Sequence, residues 1–170
     1  MSSRVKATVL NISLSVSVLL ATLCGCMADT RYIAFAPVGA DGWASADTLT
    51  YSIAPLTGVE QGGVYLLLHT EGYRYGNIAV EVSIRQDTSL LYHEQHSYLL
   101  SSDEAKSGIG HRFDYVLPVA NVTLCDTLPT AITLIHQLDQ PLLSGIREVG
   151  IRIGDLVRQP GEPVWKVDWH

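Results

Sequence analysis

The stretch Ile78-Ala79-Val80-Glu81-Val82-Ser83-Ile84-Arg85 decides the fold. Ile78, Val80, Val82 and Ile84 alternate with Ala79, Glu81, Ser83 and Arg85, and a period of two puts one set on each side of an extended chain. The segment therefore reads as a strand with one buried face. The pattern recurs on both sides of it. Upstream, Leu49, Tyr51 and Ile53 alternate with Thr48, Thr50 and Ser52 inside Asp47–Ala54, and Tyr32–Ala36 and the apolar run Val64–Thr70 are further strand candidates. Downstream come Ser89–Leu100, Arg112–Leu117 running on into Pro118–Ala120, and Thr130–Leu138, where Ile132, Leu134, His136 and Leu138 share a face. Gly145–Gly154 closes the series, with Val149, Ile151 and Ile153 inward and Gly150, Arg152 and Gly154 outward. Clusters of Gly, Pro and small polar residues separate the strands at 37–42, 55–63 and 101–110, and these read as loops.

Eight strand candidates and no helical period give an all-β domain. One-sided alternation favours an antiparallel β-sandwich over a parallel sheet, jelly-roll-like in architecture, with a barrel as the alternative. The absence of an internal repeat argues against a propeller. The chain has 170 residues, which suits one domain. With 47% apolar and 16% charged residues it is too hydrophobic for a mostly disordered protein. Eleven basic residues stand against 17 acidic ones, a net charge of −6, the wrong sign for a nucleic-acid binder. Three cysteines are too few for a disulfide scaffold.

The N-terminus has a different character. Arg4 and Lys6 precede an uncharged, mostly apolar run from Ala7 to Leu23, which Asn11, Ser13, Ser15 and Ser17 weaken. A basic start, a short apolar run and a small-residue end describe an export signal rather than a membrane span. The run ends in Leu23-Cys24-Gly25-Cys26, which resembles the bacterial lipobox with Leu23 three residues before Cys26 and Gly25 one before it. That resemblance implies cleavage before Cys26 and acylation of its sulfur and its new amino group. Each buried methylene adds about 0.8 kcal/mol, so two or three fatty chains hold a protein stably on a bilayer. The expected organisation is a signal peptide over 1–25, the lipidated Cys26 and a tether over 26–31, the sandwich over 32–154 and a tail over 155–170. Cleavage would remove Arg4 and Lys6 and take the net charge to −8. Cys125 would then be the free thiol, and its apolar setting reads as that of a small buried residue.

Residues that could carry chemistry are scattered. His93-Glu94-Gln95-His96 suggests a metal site, but on a strand the two imidazoles point to opposite faces and cannot share an ion. His136 lies among Leu134 and Leu138 and reads as a core histidine hydrogen-bonded to backbone. No phosphate loop and no nucleophile elbow is present, and no carboxylate pair can be placed across a cleft. The expectation is a protein without catalytic residues, cofactor or metal. Tyr73-Arg74-Tyr75 is the best candidate for partner binding, since Tyr and Arg dominate protein interfaces, although aromatic packing over the core edge explains the same residues. Trp43 is a second such candidate, with plugging of the sandwich rim as its structural alternative.

The segments taken in order carry a family resemblance. The lipobox is followed by Tyr32-x-x-Phe35, Gly42-Trp43, the Asp47–Tyr51 strand, Tyr73-Arg74-Tyr75-Gly76-Asn77-Ile78, Leu134-Ile135-His136-Gln137-Leu138, and Leu143-x-Gly145-Ile146 leading into Val149–Ile153. This series resembles the GldH gliding-motility lipoproteins of Bacteroidota over roughly residues 26–154. The resemblance implies a lipoprotein acting beside other gliding proteins and the type IX secretion apparatus, anchored to the lipid bilayer through acylated Cys26. It transfers no catalytic residue. With only Asp29 acidic directly after Cys26, a periplasm-facing position is expected. The alternative function is a lipid-anchored sandwich that binds glycan or another envelope ligand.

Overall fold

The computed structural model describes residues 30–58, 61–100 and 106–157. The regular elements among them are all strands: β1 (Tyr32–Pro37), β2 (Trp43–Ala44), β3 (Leu49–Ile53), β4 (Gln61–Glu71), β5 (Asn77–Gln86), β6 (Ser89–Leu99), β7 (Lys106–Ile109), β8 (Arg112–Thr123), β9 (Thr130–His136), β10 (Leu142–Leu143) and β11 (Ile146–Gly154). The expected signal segment, Cys26 and the residues beyond Val157 lie outside the described part.

The eight long strands correspond to the eight strand candidates of the sequence. They pair in a nest, β1 with β11, β3 with β9, β4 with β8 and β5 with β6, every pair antiparallel. Lateral pairing of β11 with β4 and of β9 with β5 completes two sheets, β1-β11-β4-β8 with β7 added at its edge, and β3-β9-β5-β6. This is the winding of a jelly roll. The short pair β2–β10 lies apart from both sheets.

Both sheets turn their apolar faces into one core. Ile78, Val80, Val82 and Ile84 of β5 are fully buried, and so are Val64, Leu66 and Leu68 of β4 and Val149, Ile151 and Ile153 of β11. Each such side chain contributes about 1.5–3 kcal/mol by leaving water. Two hydrogen bonds tie the sheets directly. The Tyr51 hydroxyl on β3 donates to the Val149 carbonyl on β11 at 2.6 Å, in a buried position, and the Tyr98 hydroxyl on β6 donates to the Pro118 carbonyl on β8 at 2.8 Å. Burial raises the Tyr51 pKa well above the usual phenol value, which favours the protonated, donating hydroxyl.

Four details depart from the sequence reading. First, β4 starts at Gln61, inside the expected loop, because Gly62 and Gly63 are strand residues facing Val122 and Asn121. At Gly63 the chain of 155–157 crosses the strand so closely that a Cβ would sit 2.1 Å from the Asp155 carbonyl oxygen, which only glycine allows. Second, Lys106–Ile109 is a strand that pairs with the start of β8. Third, β8 does not end at Ala120 but continues to Thr123, and Pro118 within it sits at a bulge opposite Val64 and Tyr65 and beyond the reach of β7, where a missing N–H is tolerated. Fourth, Cys125 is exposed in the β8–β9 turn, its Sγ 3.1 Å from the Thr127 hydroxyl. The buried neighbour that holds this turn is Gln86, whose amide bonds the Cys125 N–H and carbonyl at 2.8 Å each.

Trp43 needs correction as a partner-binding candidate. It is fully buried, paired through β2 with Leu143 of β10, and its Nε1 donates to the Asp47 carbonyl at 3.1 Å. The ring fills the core and offers a partner no surface.

Tyr51→Phe keeps the ring and deletes the bond between sheets. We expect a loss of about 1–3 kcal/mol, because the buried Val149 carbonyl loses its Tyr51 partner, measured as a lower urea midpoint with an unchanged m-value.

Candidate interaction surface

The Tyr73-Arg74-Tyr75 segment lies in the β4–β5 connection. Gly72 supplies the left-handed turn at φ +70°, and its N–H donates to the His111 carbonyl at 2.8 Å. From the other side Gly145, at φ +90°, presses its Cα against the Tyr73 backbone, with no room for a Cβ. The two tyrosine rings meet edge to face, 5.2 Å between centroids, and both are half-buried against the core. The Tyr73 hydroxyl donates to the Asn77 carbonyl at 3.0 Å, and burial raises its pKa. Arg74 points outward and makes no hydrogen bond or ion pair among the described residues. The rings thus close the core edge, and the guanidinium is the part a partner could reach.

On β6 the alternation separates the histidines. His93 Nε2 lies 2.9 Å from Glu81 on the outward face. His96 stacks between Tyr92 and Tyr98 on the inward side at the sandwich edge, at 6.0 and 5.7 Å. The Tyr92 hydroxyl donates to Glu94 at 2.9 Å and lies 2.7 Å from His96 Nε2. With that one proton committed to Glu94, His96 donates from Nε2. Burial and the bond to Glu94 push the Tyr92 pKa up to about 12, and burial lowers that of His96.

His136 is where the core departs from the sequence reading. It is buried on the inner face of β9, edge-on to Trp43 at 5.4 Å, but neither ring nitrogen has a hydrogen-bond partner among the described residues. Burial lowers its pKa, against the opposing pull of the Trp43 backbone and the Asp47 charge.

The feature that alternation alone did not expose is the outward face of the β1-β11-β4-β8 sheet. Its middle row is apolar throughout: Phe35, Gly150, Leu67 and Val116 stand side by side across four strands. Phe35 is 37% and Val116 42% exposed. The Phe35 ring lies over Gly150, where a Cβ would meet it at 2.6 Å, and stacks on His69 at 4.3 Å. One flanking row is acidic, with Glu148 Oε2 2.8 Å and Asp114 Oδ1 3.8 Å from the two nitrogens of His69. The other flanking row is cationic: the Arg152 guanidinium lies over the Tyr65 ring at 4.2 Å, and Ile33 beside it is 52% exposed. The only sequence signal for this face was the continuous apolar run through Leu66, Leu67 and Leu68, which a half-exposed strand does not need.

A family model for the GldH lipoprotein matches residues 31–153, nearly the whole sandwich. No curated protein matches the chain. Among solved structures, one described as dimeric latent PorU from Porphyromonas gingivalis is similar over 81% of this chain, with 14% identity and a TM-score of 0.32. The chain spans 14% of the length of that protein.

Because the folded-state pKa of His136 lies below its unfolded value of about 6.5, the unfolded state binds the proton first. The neutral ring's contribution to stability is whole above pH 6.5 and declines as pH falls below it. His136→Leu should remove that component, so the stability difference between variant and wild type should shift in the variant's favour between pH 7 and pH 5, by at most about 1.4 kcal/mol per pH unit. In the 73–75 segment, Arg74→Ala should leave the unfolding free energy unchanged within about 0.5 kcal/mol, whereas Tyr73→Ala should cost about 2–4 kcal/mol, since the ring is half-buried. Both are read by urea denaturation.

Proposed function

Since the chain belongs to the GldH lipoprotein family, we propose that this gliding-motility-associated, lipid-anchored envelope protein is a non-catalytic accessory or structural component of the gliding and type IX secretion machinery, placed on the periplasmic side of its membrane. The family match over residues 31–153 carries the reading. The engagement of the acidic side chains supports it. Glu71 is bound by Arg112 at 3.0 Å and Arg147 at 3.3 Å, Glu81 by His93 and Gln137, and Glu148 by His69. The Glu71 pKa is lowered, first by the Arg112 hydrogen bond, so this carboxylate is held ionised rather than poised to donate a proton. Such a domain recognises partners with its surface, and Arg74 together with the outward apolar row are the groups it offers.

In this reading Cys26 carries the lipid, and β1 starts a few residues after it. Full-length protein in its host cell should label with a palmitate analogue and stay in the membrane pellet after a high-salt wash. Cys26→Ser should lose both the label and the pelleting. Persistence of either in the variant removes the anchor. Deletion of the gene should abolish surface spreading or reduce export of type IX cargo, and a deletion strain unchanged in both overturns the accessory role.

A further inference from the structure

The outward face of the β1-β11-β4-β8 sheet is complementary to itself. Its centre is the apolar row Phe35, Gly150, Leu67 and Val116, of which Phe35 and Val116 are exposed while Gly150 and Leu67 are covered within the chain. Along β11, Glu148 lies two residues to one side of Gly150 and Arg152 two residues to the other. A two-fold axis lying along the apolar row, across the strands, exchanges these two sides and keeps every strand in its own column. Phe35 then meets Phe35 of the second copy, Val116 meets Val116, and each Glu148 meets the other copy's Arg152. Ile33 comes opposite Pro37, and no two like charges are brought together. From this geometry we infer that the face is the isologous interface of a homodimer of this chain.

The bonding of the two key residues fits. No carboxylate reaches Arg152 among the described residues, where its guanidinium is held over the Tyr65 ring. Glu148 uses Oε2 for His69 and keeps Oε1 for a second partner. The outward face of the other sheet shows no such row: Thr50 and Ser52 are exposed polar residues, and Glu81 is paired with His93. The patch is bounded on one side by the chain of 155–157 crossing Gly63 and on the other by the ion pairs of Glu71.

The axis also suits two copies on one membrane. It runs across the sheet from β1 to β8, so the edge strand β1 of each copy lies at the same end of it. Two N-terminal tethers therefore leave the dimer on the same side, as two lipids in one bilayer require. This point rests on the lipid-anchored reading, but the self-complementarity stands without it. Four strands about 4.8 Å apart and three rows about 6.8 Å apart cover on the order of 400 Å² per copy, half of what a standard interface uses. The dimer is therefore weak when the protein is free and favoured by confinement to a surface.

Crosslinking of the full-length protein in its own membrane tests this. In a Cys125→Ser background, Val116→Cys places one thiol of each copy near the axis, and mild oxidation with copper phenanthroline should give a disulfide-linked dimer on a non-reducing gel. Thr50→Cys, on the outward face of the other sheet, and the Cys125→Ser parent should give none. Glu148→Arg or Arg152→Glu alone should cut the Val116→Cys dimer about tenfold or more, and the two together should restore it. Protease resistance of each variant reports folding, and membrane pelleting in the same cells reports the anchor, so failure of the anchor is seen separately. Absence of the Val116→Cys dimer, an adduct to a different protein in its place, or a double reversal that stays as low as the singles overturns the proposal.

Discussion

The central strand β4 has to satisfy two neighbours at once, and the rest of the fold is registered on it. On one side Leu66, Leu67 and Leu68 face Leu117, Val116 and Tyr115 of β8, and on the other they face Ile151, Gly150 and Val149 of β11. A slip of one residue against either neighbour would turn Val64, Leu66 and Leu68 out of the core and bring Tyr65 and His69 in. The strand is protected at both ends. Gly63 lets the chain after β11 cross it, and the bulge beside Val64 absorbs the extra residue of β8. The pairs nest around the β5–β6 hairpin, and the outermost joins Tyr32 to Ile153. A fold built from such distant partners forms slowly compared with one built from local hairpins.

The sequence was most legible where burial is one-sided. The alternation in β3, β5, β9 and β11 marks both the strand and its inward face, because the period of the chain and the period of the pattern are the same. Reading failed where a glycine serves the strand instead of ending it. Gly63 and Gly108 stand in regions that look like loops, yet a Cβ at either would meet the backbone of a chain crossing or pairing with it, at about 2.1 Å. Cys125 looked buried because its neighbours are apolar; it sits in a turn whose polar contacts come from Gln86, a residue 39 positions away. The lack of a hydrogen-bond partner for His136 among the described residues and the placement of Trp43 inside β2 depend on a strand pair of two residues each, too short to leave a pattern. Of the candidate surface, Arg74 was visible from its flanking tyrosines, whereas the row from Phe35 to Val116 is assembled from four strands and exists only after folding.

The two faces of the main sheet have different roles. Inward, the side chains are interchangeable in kind, and shape decides which of them fits. Outward, the rows differ in chemistry from one another: acidic with an imidazole, then apolar, then cationic over an aromatic ring. Stability requires no such order, since an outward face is satisfied by any mixture of polar groups. The order suits the interface inferred above, and it is carried by the strands best fixed by the core. The surface is therefore rigid before it meets anything, and little conformational entropy is lost when it does.

The position of β1 has a mechanical consequence. The strand lies at the edge of its sheet, holds to β11 alone through registered pairs from Tyr32–Ile153 to Pro37–Glu148, and in the proposed lipid-anchored arrangement it is the first strand after the tether. A pull directed along β1 loads all of those rungs together, and they must shear at once. A pull directed across the strand opens them singly, like a zip. The angle at which the domain stands on its anchor thus sets how much force it transmits before its first strand peels away.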